Sequence, residues 1–222
     1  MVTVTEKTKV LIVDDHPIVR HGLAQLINQE DDMVACGEAE DVADALEVVS
    51  ALRPDIVLID VALKSSNGMD LIEPVKERFA EIPVLMLSMH DEVVYAERAL
   101  RAGAQGYIMK QDPPEKVIEA IRQVLGGEIY LSESMTGKML KRLATGQTAK
   151  EVSPLERLSA REIEIFRLIG QGRDTRQIAE KLEISKKTID AHRANIKKKL
   201  EIKRGTELVQ MAIKWVLTEE NG

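Results

Sequence analysis

The chain of 222 residues has one cysteine, Cys36. No internal disulfide can form, which fits a reducing compartment. Aromatic residues are almost absent: one Trp, three Tyr and two Phe, 3% of the chain. Any core must therefore be aliphatic. No apolar run approaches the roughly 20 residues that cross a bilayer. The N-terminal MVTVTEKTK lacks the apolar stretch of a signal peptide. The expectation is a cytoplasmic protein with no membrane partner. What is present is the composition of a globular protein, 44% apolar and 31% charged, at a length comfortable for two domains.

The net charge of −6 hides a division. Residues 1–130 carry 12 Lys and Arg against 24 Asp and Glu, whereas residues 153–222 carry 15 against 11. An acidic front and a basic back suggest two domains with different partners.

The front alternates short aliphatic runs with longer amphipathic ones. VLIV (10–13), MVACGE (33–38), DIVLID (55–60), PVLMLS (83–88) and GYIM (106–109) have the continuous hydrophobicity of strands buried on both faces. Between them lie helical stripes, such as Ile18, Val19, Leu23, Leu26 and Ile27, or Val42, Ala45, Leu46 and Val49. Five βα units predict a doubly wound α/β domain with a five-stranded parallel sheet over residues 1–126. Its last helix, PPEKVIEAIRQVL, opens on proline, where a missing N–H does no harm. Residues 127–154 are expected to form a linker with a short helix near SMTGKMLKRLA. From 155 to 222 every periodic segment is helical. Ser159 with Glu162, and Asp174 with Gln177, are spaced as capping boxes, and Ser185 is placed as an N-cap.

Ligands of a doubly wound sheet collect beyond the carboxyl ends of its strands. There the sequence places Asp14 and Asp15 after the first strand, Asp60 on the third, Ser88 on the fourth and Lys110 after the fifth. Any one of these has an ordinary use: an aspartate or serine caps a helix, and a tyrosine such as Tyr107 fills core. Their convergence on one edge is the informative feature. Adjacent carboxylates repel unless a cation compensates. Three carboxylates with room for water suit Mg²⁺. Beside such an ion, Asp60 could accept a phosphoryl group, with Ser88 and Lys110 on its oxygens.

At the other end, Thr175–Leu182 and Lys186–Leu200 are spaced as a helix-turn-helix. On the second helix Ile189, Ile196 and Leu200 share an inward face. Lys187, Asp190, Ala191, Ala194 and Lys198 share the opposite one, available to a major groove, with Arg193 and Lys197 at its flanks for phosphates. His192 lies near the inward side. The closing helix carries a wide apolar band, Leu208, Val209, Ala212, Ile213, Trp215 and Val216. Part of that band must pack on its own domain.

VDDH, DIVLIDVALKSSNGMD, PVLMLS and GAQGYIMK together resemble the receiver domain of two-component response regulators over residues 8–126. LSAREIEIFRLIGQG and IAEKLEISKKTIDAHRANIKKKL resemble the LuxR-type DNA-binding domain over 155–217. The combination is similar to the NarL/FixJ family of response regulators. That resemblance implies a flavodoxin-like receiver followed by an all-α helix-turn-helix domain, in a transcription regulator rather than an enzyme. It implies Asp60 as the phosphoacceptor. Asp14, Asp15, Asp60 and the backbone carbonyl of Ala62 would hold Mg²⁺. Ser88 and Tyr107 would be the switch residues, with Tyr107 turning inward as Ser88 moves, and Lys110 the phosphate partner. The implied DNA-contacting set is Lys187, Thr188, Asp190, Ala191, Arg193, Ala194, Lys197 and Lys198. The implied partners are a sensor histidine kinase, double-stranded promoter DNA and, in the active state, a second copy of the chain. Lys64 departs from the family, which usually has proline there, while Gly68 matches. Two rival readings stand beside this one. In the first, the front domain is a constitutive dimerisation or ligand-sensing module. In the second, the acidic edge is a Mg²⁺-dependent phosphohydrolase, a reading that leaves the helix-turn-helix unexplained.

Overall fold

The computed structural model describes residues 6–63, 67–89, 92–144, 155, 158–182 and 184–220. The chain divides into two compact units, Met1–Ala144 and Thr145–Gly222.

In the first unit β1 (Thr8–Val13), β2 (Met33–Ala39), β3 (Ile56–Asp60), β4 (Val84–Ser88) and β5 (Gly106–Met109) form one parallel sheet in the order β2-β1-β3-β4-β5. The runs expected to be doubly buried are so in the centre: every residue of β3 and β4 is buried. The edge strand β2 is only partly buried, as an outer strand with one neighbour should be. Reversal of strand order between β1 and β3 opens the crevice at their carboxyl ends.

The crossover helices are α1 (Pro17–Asn28), α2 (Val42–Leu52), α3 (Ile72–Arg78), α4 (Glu92–Ala102) and α5 (Pro114–Leu125). Pro17 and Pro114 stand in the first turns of α1 and α5. Val117, Ile118, Ala120, Ile121 and Val124 of α5 join a core shared with β1, β3, β4 and Tyr130. The stripe expected on α1 needs a correction: Ile18 is 89% exposed. Ile18 lies in the first turn of the helix. The inward stripe is instead Arg20, Leu23 with Ala24, and Ile27, spaced by helical threes and fours, and its first position is a buried cation.

The stretch read as a linker is in part built into this unit. Tyr130 makes a parallel bridge with Gly106 of β5, and Met135 in α6 (Glu133–Ala144) is buried. Residues 145–154 lie outside the described residues.

The second unit holds α7 (Ala160–Gly170), α8 (Thr175–Lys181), α9 (Lys186–Lys199) and α10 (Gly205–Glu220). Both predicted capping boxes form, and the Ser185 side chain accepts from Thr188 N–H. The helices start where local hydrogen bonding tells them to. Phe166 of α7 lies against Trp215 of α10 with ring centroids 5.6 Å apart. The crossing is tight because Gly170 faces α10: a Cβ there would come within 2.4 Å of the Ala212 carbonyl oxygen. Among the described residues no helix is long and apolar enough to cross a membrane.

Candidate functional site

β1 ends in Val13 and hands Asp14 and Asp15 to the crevice. Asp14 is completely buried. Its N–H donates to the Ala39 carbonyl at 3.1 Å, and its carbonyl accepts from Arg20 Nη1 at 2.6 Å. The same guanidinium donates to Glu38 at 3.1 Å and Glu40 at 3.0 Å, on either side of Ala39. The end of β2 thus holds the Asp14 backbone from both sides, and Arg20 supplies one of the two ties. Arg20 belongs to none of the motifs in the sequence. Its only available signal was a cation sitting on the inward face of a helix next to two aspartates.

Asp60 closes β3 with 2% exposure. Gly68 is forced at this point, because a Cβ there would lie 1.8 Å from the Asp60 carbonyl oxygen. The loop after β3 returns through an Ala62–Asn67 bridge and a Gly68 N–H to Val61 carbonyl bond of 3.0 Å. Ala62 is half-buried beside the acidic group. Lys64 lies outside the described residues, so its effect on the loop is not part of this geometry.

Lys110, just past β5, reaches back across the edge. Its Nζ is 2.5 Å from Asp14 Oδ2 and 2.8 Å from Asp60 Oδ2. Burial pushes the Asp60 carboxyl up to about 6; the Lys110 ammonium opposes this shift and the Asp14 charge adds to it. Burial alone would lower Lys110, but the Asp60 and Asp14 carboxylates outweigh it and raise the ammonium above its ordinary value. Ser88 ends β4 fully buried, and its carbonyl accepts from Lys110 N–H at 2.7 Å. Tyr107 is also fully buried. Its N–H donates to the Tyr130 carbonyl at 2.9 Å.

One ligand atom from each of Asp14, Asp15, His16 and Asp60 lies within 4.8 Å of the others. Asp15 Oδ1 is buried and has no hydrogen-bond partner among the described residues. His16 Nδ1 lies 2.8 Å from it, but not in hydrogen-bonding geometry. A buried, unsatisfied anionic oxygen beside two further carboxylates fits a hard divalent cation. Asp14, Asp15, Asp60, Ser88 and Lys110 come from four distant places in the sequence, and the fold brings all five to one edge.

On α9 the predicted division of faces holds. Ile189 and Ile196 are fully buried, with Leu200 half-buried just past the helix. Lys187, Thr188, Asp190, Ala191, Ala194 and Lys198 are exposed, and Arg193 and Lys197 are half-buried at the margins. His192 is half-buried; burial and then the Arg161 charge lower its pKa. Beneath the helix, Lys199 Nζ lies 2.7 Å from Glu162 Oε2, a carboxylate that also closes the capping box of α7. In α10, Leu208, Ala212 and Val216 are buried, while Ile213 and Leu217 are 40% and 54% exposed.

Residues 10–122 match the family described as "Response regulator receiver domain", and residues 156–212 match "Bacterial regulatory proteins, luxR family". The chain belongs to the NarL/FixJ-family response regulators. Among its relatives is the "Oxygen regulatory protein NreC" of Staphylococcus carnosus (strain TM300), 37% identical over 210 residues, covering 93% of this chain and 97% of that protein. The protein of that name from Staphylococcus epidermidis (strain ATCC 12228 / FDA PCI 1200) is 37% identical over 216 residues, covering 95% and 99%. A solved structure of RcsB from Salmonella enterica serovar Typhimurium, bound to promoter rprA in the presence of phosphomimetic BeF3-, is also similar. It shows 27% identity and a TM-score of 0.58 over 92% of this chain and 98% of that one. This response regulator thus combines a flavodoxin-like receiver with a LuxR-type DNA-binding domain, and its family regulates transcription.

Proposed function

We propose that this response regulator is switched by transfer of a phosphoryl group from a sensor histidine kinase to Asp60, and that the switch controls promoter binding through α9. The observation that carries the reading is the buried edge where Asp60, Asp14 and Lys110 meet with Ser88 and Asp15 close by. With its carboxyl near 6, Asp60 is largely ionised at neutral pH and available as a nucleophile. One of its oxygens forms the new P–O bond as the P–N bond of a phosphohistidine breaks, and the imidazole keeps the electron pair of the broken bond. Lys110 and Ser88 bind the transferred oxygens. Asp14, Asp15, Asp60 and the Ala62 carbonyl would hold Mg²⁺, which supplies charge neutralisation during transfer.

In the second unit, Lys187, Thr188, Asp190, Ala191, Ala194 and Lys198 face the major groove, while Arg193 and Lys197 reach phosphates from its margins. Ile213 and Leu217 offer α10 to a second copy of the chain, and a two-fold pair implies paired half-sites. The working compartment is the cytoplasm.

The test is intact-protein mass after incubation with a small phosphodonor. The wild type should gain one phosphoryl group with Mg²⁺ and none without it, and Asp60→Asn should gain none. Equal gain by Asp60→Asn would remove Asp60 from the role.

A further inference from the structure

The chain does not simply leave β5 and α5 on its way to the second unit. It first returns to the two elements that flank Ser88 and Tyr107. Tyr130 donates its N–H to the Gln105 carbonyl at 3.0 Å and accepts from the Tyr107 N–H at 2.9 Å. It is thereby fastened on both sides of Gly106, in the strand that carries the switch tyrosine. Two residues later Ser132 meets Glu92, the first residue of α4 and the fourth after Ser88. Ser132 N–H donates to Glu92 Oε1 at 2.8 Å, and the Ser132 hydroxyl donates to Glu92 Oε2. The same hydroxyl oxygen accepts from Met135 N–H at 3.1 Å, and the Ser132 carbonyl accepts from Thr136 N–H at 2.9 Å. Ser132 is therefore the N-cap of α6, and the cap is also the point of attachment to α4.

A carboxylate that takes two hydrogen bonds from one residue fixes that residue in position and direction, more strongly than a neutral acceptor would. The structure thus joins the start of α4 to the start of α6, the helix from which the chain continues into the DNA-binding unit. We infer that Glu92 and Ser132 form a clasp that holds α6 in the unphosphorylated receiver, and that movement of Ser88 towards a phosphorylated Asp60 opens it. The inference rests on the phosphoryl switch proposed above. Opening releases the N-cap of α6, the helix after which the chain runs on to the DNA-binding unit. Glu92 and Ser132 are positioning residues; neither touches the phosphoryl group.

The experiment is hydrogen exchange by mass spectrometry on the full chain, with and without Mg²⁺ and beryllofluoride. In the wild type, beryllofluoride should speed exchange in peptides spanning 129–137. Glu92→Gln keeps the shape but loses the charge, and Ser132→Ala loses the hydroxyl. Both should exchange fast there in either state, and Ser132→Thr should restore the wild-type difference. Each variant should still gain one phosphoryl group from a small phosphodonor. Binding to a duplex selected from a random pool by phosphodonor-treated wild type provides a second readout. Without phosphodonor, Glu92→Gln should bind it about fivefold or more tightly than the wild type, the lower end of ordinary coupling between sites. The clasp is overturned if wild-type peptides around Asp60 and Ser88 respond to beryllofluoride while 129–137 do not. It is equally overturned if Glu92→Gln matches the wild type in both readouts. If beryllofluoride changes no peptide, including that of Asp60, the phosphoryl-switch reading fails instead.

Discussion

At the carboxyl edge of the sheet, Asp14 and Asp60 are buried and share one ammonium. On α9, Lys187, Asp190 and Lys198 stand in water above a floor of Ile189 and Ile196. Both regions are rich in charge, yet burial gives that charge opposite consequences. In the crevice, removal of the shared ammonium strands two carboxylates in a low-dielectric setting, so function and stability are bound together. On the outer face of the helix, water already solvates these charges, so binding can change while the fold does not.

The comparison breaks most visibly at Lys110. Lys110→Met leaves two buried carboxylates without their counter-charge. It should destabilise the metal-free first unit by about 3–5 kcal/mol, with part of the loss recovered in Mg²⁺. Urea unfolding followed at both metal conditions measures it. A loss below about 1 kcal/mol would mean that water reaches the crevice as freely as it reaches α9.

The floor of α9 is the counterpart. Ile196→Ala, at a fully buried site, should cost about 2–5 kcal/mol. Trp215 is the chain's one tryptophan and touches Phe166. Its fluorescence therefore reports unfolding of this unit directly.

Asp60 supplies a pH test. Its folded pKa of about 6 lies above the ordinary 3.8, so the folded receiver holds this proton more tightly than the unfolded chain does. The stabilisation from that proton is fully present below about pH 4 and is lost as pH rises through about 6. Metal-free Asp60→Asn should therefore gain about 2–3 kcal/mol over the wild type at pH 8, and the difference should close by pH 4. Paired denaturation curves at the two pH values decide it; a gap that does not depend on pH would refute the shift.

The smallest stability effect belongs to the exposed face. Lys198→Ala should leave unfolding within about 0.5 kcal/mol of the wild type. The same change should reduce the salt dependence of DNA binding by about one ion. A titration of binding against salt concentration measures this, and an unchanged slope would remove Lys198 from the DNA-contacting face.

Legibility in the sequence follows the same division. The strands were readable because parallel strands between helices must be apolar throughout, and GYIM at 106–109 is bounded by the sequence as it is in the structure. The crevice was readable because its residues sit at strand ends, which the topology then gathers. α8 and α9 announced their starts through Asp174, Gln177 and Ser185. Arg20 was not legible, since its purpose is to bond the Asp14 carbonyl, and backbone acceptors leave no mark on composition. The same holds for Ser132 and Glu92, 40 residues apart and joined only in three dimensions. Ile18 departs from the expected stripe because helical spacing alone does not bury an aliphatic residue in a first turn, and the inward stripe begins with Arg20 instead.

The bridge between Tyr130 and Gly106 has a further meaning for the sheet itself. β5 is an outer strand, with β4 on one side only. An outer strand offers unpaired amides to any other chain that can lie alongside it. Tyr130 occupies the amide of Tyr107 and the carbonyl of Gln105, so the protein's own continuation guards that margin. If residues 129–135 peel away, the receiver gains not only a freed helix but also a bare strand edge, and with it a place where two receivers can adhere, productively or as aggregate.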